Sequence, residues 1–193
     1  MLSAQTLYKA TQDYFRQNPF KTEFHQFINN LISDPALSEK EIKKKTDTTL
    51  FFLQGIYKSH SPFFFPVSRC KVVLAERQEF IDTVTNHVYT YFVYQMIGYA
   101  PPGKEGLKDV KEEFERLNRR LKKGLEIIDP KELKRGDAPS GAINNYTYRN
   151  LLFYPLTIAW ATTAENTENI IALTIRFFMA KNTAYLPIPS NGP

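Results

Sequence analysis

The stretch ERQEFIDTVTNHVYTYFVYQMIG, residues 76–98, carries the choice of fold. Phe80, Ile81, Val84, Val88, Tyr91, Phe92 and Met96 recur at helical spacing, on one side of a helix that Gly98 would close. Its second half, VYTYFVY, is β-branched and aromatic, which is the composition of a strand. Giving spacing precedence over composition predicts a helix over 76–97, with a strand as the rival over 88–97.

The next stretch, KEGLKDVKEEFERLNRRLKKGLEII at residues 104–128, leaves less choice. Leu107, Val110, Phe114, Leu117, Leu121, Leu125 and Ile128 make a narrow stripe, closer to a coiled-coil seam than to a broad core face. Acidic Asp109, Glu112, Glu113 and Glu115 lead, and basic Arg116, Arg119, Arg120, Lys122 and Lys123 follow, as the helix dipole favours. Pro101, Pro102 and Gly103 stop extension upstream and Asp129-Pro130 stops it downstream, so a helix is predicted over 107–128.

Upstream, Leu7, Tyr8, Thr11, Tyr14 and Phe15 outline a helix over 3–17. Asn18-Pro19 reads as the start of another, with Phe20, Phe24, Phe27, Ile28, Leu31 and Ile32 on one face and Asp34-Pro35 as its end. Ser38 and Glu41 form a capping box, with Leu37 and Ile42 placed as a hydrophobic staple. That predicts a helix running on through Leu50, Leu53 and Ile56, with a strand as the rival over 48–57. Ser59 to Val67, SHSPFFFPV, is irregular because prolines bracket its phenylalanines, and Cys70 to Leu74 fits a short strand.

Downstream, KELKRGDAPSG at 131–141 is a polar boundary. Beyond it the period becomes two. Leu156, Ile158 and Trp160 alternate with small residues, and so do Ile171, Leu173, Ile175, Phe177 and Met179, with AENTEN between them. This is a β-hairpin, to which Asn145–Phe153 adds a strand. The tail AYLPIPSNGP is extended. The fold class expected is therefore α+β, mainly α: about five helices, then a C-terminal β-hairpin and extended tail. Residues 1–136 would form a helical domain, with the hairpin segment and tail, 137–193, packed on it as one compact unit. No internal repeat is evident.

The chain has 193 residues, 42% hydrophobic and 14% aromatic, which excludes a disordered polypeptide. Its net charge of +5 is too small to imply a polyanionic partner by itself. Residues 137–193 carry only Arg149, Arg176 and Lys181 against Asp137, Glu165 and Glu168, so that segment must be covered. One cysteine, Cys70, fits a reducing compartment. The N-terminal MLSAQTLYKATQDYF lacks a signal peptide's apolar core. The apolar runs near 88–99 and 151–161 fall short of the ~20 residues that span a bilayer. A cytoplasmic protein with no membrane span is expected.

Motifs for chemistry are sparse. His25, His60 and His87 have no HExxH or CxxC around them, so no metal site is expected. Arg69 and Lys71 flank Cys70 and would lower its thiol pKa, but nothing supplies a base. GDAPSG at 136–141 lacks the Lys and Ser/Thr of a phosphate loop. No catalytic residue and no cofactor is assigned. An enzyme site near the 59–70 loop, around His60 and Cys70, is the weakest alternative. Arg116, Arg119, Arg120 and Lys123 support a nucleic-acid-binding alternative on the central helix. The leading expectation is a non-catalytic structural or adaptor subunit, acting by protein–protein interaction or as a homo-oligomer. Its interface would use Val110, Phe114, Leu117 and Leu121 on the helix, Phe63 and Phe64 in the loop, and Ile171 and Leu173 on the hairpin, whose free edge invites strand addition.

Overall fold

The computed structural model describes residues 15–18, 22–46, 48–58, 69–82, 87–122, 126–127, 144–149, 155–162 and 168–178. Helix α1 (Phe24–Ile32) precedes strands β1 (Leu37–Lys44), β2 (Thr49–Lys58), β3 (Arg69–Asp82) and β4 (His87–Ala100). Helix α2 (Lys104–Lys122) precedes β5 (Glu126–Ile127), β6 (Asn144–Arg149), β7 (Pro155–Thr162) and β8 (Asn169–Phe178). The strands form a single eight-stranded antiparallel sheet in the order β1-β2-β3-β4-β8-β7-β6-β5. The protein is thus predominantly β, and the expectation of a mainly α chain with about five helices is wrong.

The errors have a common cause. The 76–97 helix is instead the β3–β4 hairpin, paired from Arg69↔Tyr99 to Asp82↔His87. Tyr94, Met96 and Ala100 are buried on one face, while Val93, Gln95, Ile97 and Tyr99 are half-buried on the other. A strand with large side chains on both faces offers an apolar residue at every spacing, so a helical subset can be picked from it. The Ser38/Glu41 capping box is likewise a pair of cross-strand contacts. Ser38 Oγ donates to the Ile56 carbonyl at 3.0 Å, and Glu41 accepts from the Gln54 side chain. Residues 48–57 belong to β2, the rival reading.

Other expectations match. Helix α1 carries the Phe24, Phe27, Ile28, Leu31 stripe, all buried, but it starts at Phe24. Its cap is Glu23, whose carboxylate accepts from the His25 and Gln26 N–H groups; those bonds hold its pKa below the usual value. Helix α2 holds the predicted stripe over most of its length but ends at Lys122, and Glu126 and Ile127 pair with Arg149 and Tyr148. The predicted hairpin is β7–β8, with β6 beside it. The short strand at 70–74 is part of the much longer β3. The 59–67 loop, the 131–141 linker, the tail and most of the 3–17 helix lie outside the described residues.

Both described helices, α1 and α2, pack on one face of the sheet. Phe24 of α1 stacks on Phe92 at 4.1 Å between ring centroids, and Phe27 meets Tyr94 edge-on at 4.9 Å. Val110, Phe114 and Leu117 of α2 join Met96, Ile158, Ile171, Leu173 and Ile175 in the same core. Leu37 of β1 lies over Gly55 of β2, where an added Cβ would come within 2.5 Å of it. At the start of α2, Asn169 is 1% exposed and ties three segments together. Its Nδ2 donates to the Pro101 and Gly103 carbonyls, and its Oδ1 accepts from Thr162 Oγ1.

Element order repeats although sequence does not. A helix and a four-stranded meander occur twice, and the two meanders meet through their last strands, β4 and β8.

Candidate functional site

The sheet face opposite the helices has no described element over it. The strand register sets its composition. Rows of paired residues cross it: Lys43, Phe52, Ala75 and Val93; then Glu41, Gln54, Val73, Gln95 and Thr174; then Ile56, Lys71, Ile97 and Ala172; then Lys58, Arg69, Tyr99 and Ile170. On β2 to β4, Phe52, Ile56, Val73, Val93 and Ile97 are all half-buried, as is Ile170 of β8. Farther along, Thr157, Ala159, Ala161, Ala172 and Thr174 are fully buried on the same face.

Charge borders the apolar patch and enters it at Lys71, between Ile56 and Ile97. Lys58 and Arg77 are exposed and Lys71 is half-buried. Lys43 pairs with Glu41 at 2.6 Å, and this contact is the main reason the Glu41 carboxyl sits below its usual pKa. Arg69 pairs with Glu168 at 2.8 Å and lies 4.3 Å above the Tyr99 ring. The Glu168 hydrogen bond raises the arginine's pKa, and burial raises that of Tyr99. Among the described residues five cations, Lys43, Lys58, Arg69, Lys71 and Arg77, therefore face Glu41, Glu168 and, near Arg69, Glu39 in and beside this surface, leaving it basic.

The five sequence-predicted interface residues whose side chains are described lie elsewhere. Val110, Phe114 and Leu117 are at most 3% exposed, and Ile171 and Leu173 at most 1%, all inside the core beneath the helices. Leu121 belongs to α2, its side chain outside the described set; Phe63, Phe64 and Lys123 are also outside it. Strand β8 pairs with β4 and β7 pairs with β6, so the hairpin has no free edge.

Lys111, Arg116 and Arg119 of α2 face a cleft of about 830 Å³ along that helix, shared with Asp109, Glu112 and Glu115. Within it Arg116 Nε donates to buried Glu113 at 2.6 Å, and Arg119 stands among the carboxylates. Arg120 is half-buried. This mixed field does not favour a polyanion. Cys70 is fully buried, and His25 is exposed with its ring against Phe24. Among the described residues no group of three His, Cys, Asp or Glu side chains is placed to hold a metal. No described helix is long and apolar enough to cross a membrane.

What sequence reasoning missed is the outer sheet surface. Its one legible signal was that β2 and β4 alternate two apolar sets rather than an apolar and a polar one. Comparison with protein-family models, curated proteins and solved structures finds no match to this chain.

Proposed function

We propose that the chain is a non-catalytic binding subunit whose sheet face opposite the two described helices receives a partner protein. One observation carries this reading: among the described residues both helices cover one face, and Phe52, Ile56, Val73, Val93 and Ile97 remain partly exposed on the other. Contiguous apolar surface bordered by charge is the common form of a protein interface. Two copies set face to face would oppose Lys58, Lys71 and Arg77 to their own kind, so the partner is a different protein with an apolar centre and an acidic rim. Tyr99 already carries Arg69 on its ring, which leaves less stacking surface for a nucleic-acid base.

The test is affinity capture from the source cells with wild type, with the Ile56→Asp/Ile97→Asp variant, and with Glu115→Lys on the helix side as a control. A partner retained by wild type and by the control, lost by the double variant, and bound directly when purified supports the reading. Equal retention by all three proteins, or no direct binding by wild type, overturns it. Far-UV circular dichroism checks that the variants are folded.

A further inference from the structure

Strand β1 ends the sheet on one side, and every second residue along it turns its N–H and C=O away from β2. A bulge between Ser38 and Glu41, with Glu39 at φ 50°, breaks its first half. Regular pairing holds from Glu41 to Lys44 against Gln54 to Phe51. Ile42, in the middle of that run, is 44% exposed and is the one exposed large hydrophobic side chain among the described residues. Lys43, Lys44 and Lys45 follow it, all exposed. Lys43 is engaged by Glu41, while Lys44 and Lys45 make no ion pair among the described residues.

We propose that the β1 edge accepts an extended acidic segment of a partner protein as an added antiparallel or parallel strand, with an apolar residue against Ile42 and carboxylates against Lys43 and Lys44. Edge lysines are a common guard against pairing, and here they make the edge selective. A second copy of β1 would set lysine beside lysine, whereas an acidic strand gains at each position where a copy loses. Backbone hydrogen bonds would supply affinity, and the Ile42 contact and the lysines would supply register and choice. The inference rests on the reading that the chain works by binding protein. It uses the sheet's edge and not its face, so the two fail separately.

The probe is a short acetylated peptide repeating valine-glutamate-glutamate, which can set one valine against Ile42 and two carboxylates against Lys43 and Lys44 in either strand direction, labelled with fluorescein and followed by anisotropy on the full chain. Binding is expected at low salt, weakening at least about tenfold as screening shortens the Debye length toward ~8 Å. Lys43→Glu/Lys44→Glu should abolish it, and Ile42→Ser should weaken it. Ile56→Asp/Ile97→Asp on the sheet face should leave it intact, which separates this inference from the one above. The same peptide methylated on every backbone nitrogen keeps its charge but loses its donors, and should not bind. Equal binding by the methylated peptide would reduce the effect to charge attraction and overturn strand addition. No binding by wild type at low salt would overturn it outright. So would a concentration-dependent dimer that Lys43→Glu/Lys44→Glu removes, which would mean that copies pair with each other.

Discussion

The Pro101 carbonyl is held from two sides. Asn169 Nδ2 donates to it at 2.8 Å, and Gly106, in the first turn of α2, leaves it room: a Cβ there would stand 1.9 Å from that oxygen. In an open helix, replacing glycine with alanine is favourable by about 1 kcal/mol. Here the contact is with backbone and cannot rotate away, so Gly106→Ala should destabilise by roughly 1–3 kcal/mol, as overpacking does. Asn169→Ala should cost a similar amount, about 1–3 kcal/mol, by leaving buried polar groups unpaired. Urea unfolding of both variants checks the pair; a more stable Gly106→Ala protein would refute the contact.

At the scale of elements, α2 is a core helix. Leu117 has no exposed surface, and Leu117→Ala should lower stability by about 2–5 kcal/mol in urea unfolding while native mass stays unchanged. A variant of unchanged stability with altered assembly would return this seam to a partner. The seam and the α1 stripe were legible because each has one buried face, as with Val110, Phe114 and Leu117; the β7–β8 hairpin, buried on both faces, was legible because large Ile158 and Leu173 alternate with small Ala159 and Ala172. Of strands β1 to β4 only the 70–74 part of β3 was. Phe52 and Leu53, or Tyr94 and Gln95, point to opposite faces that are both at least half covered, so alternation is lost. Ser38 and Glu41 fit a capping box by type, but their partners, Ile56 and Gln54, are cross-strand residues that local spacing cannot reveal. The outer sheet face was illegible for the same reason, because it is assembled from the second apolar set of strands read largely as helices.

At the scale of the molecule, the two meanders share one sheet and one core, joined along β4 and β8. Unfolding should therefore be a single transition. Trp160, on β7, reports the second meander by fluorescence, and far-UV circular dichroism reports the whole; their urea midpoints should coincide. Two separated steps would divide the chain into independent halves. The join also imposes a wait during synthesis. Met96 lies opposite Leu173, and β8 begins 69 residues after β4 ends (169 − 100). At about 5–20 residues per second, the ribosome takes roughly 3–14 s to deliver the missing neighbour. Throughout that interval β4, HVYTYFVYQMIGYA, holds an open edge of 14 residues with no Asp, Glu, Lys or Arg in it. The finished protein guards its β1 margin with lysines, whereas the nascent chain has no such guard on β4, which makes this strand the place where a chaperone has most to protect.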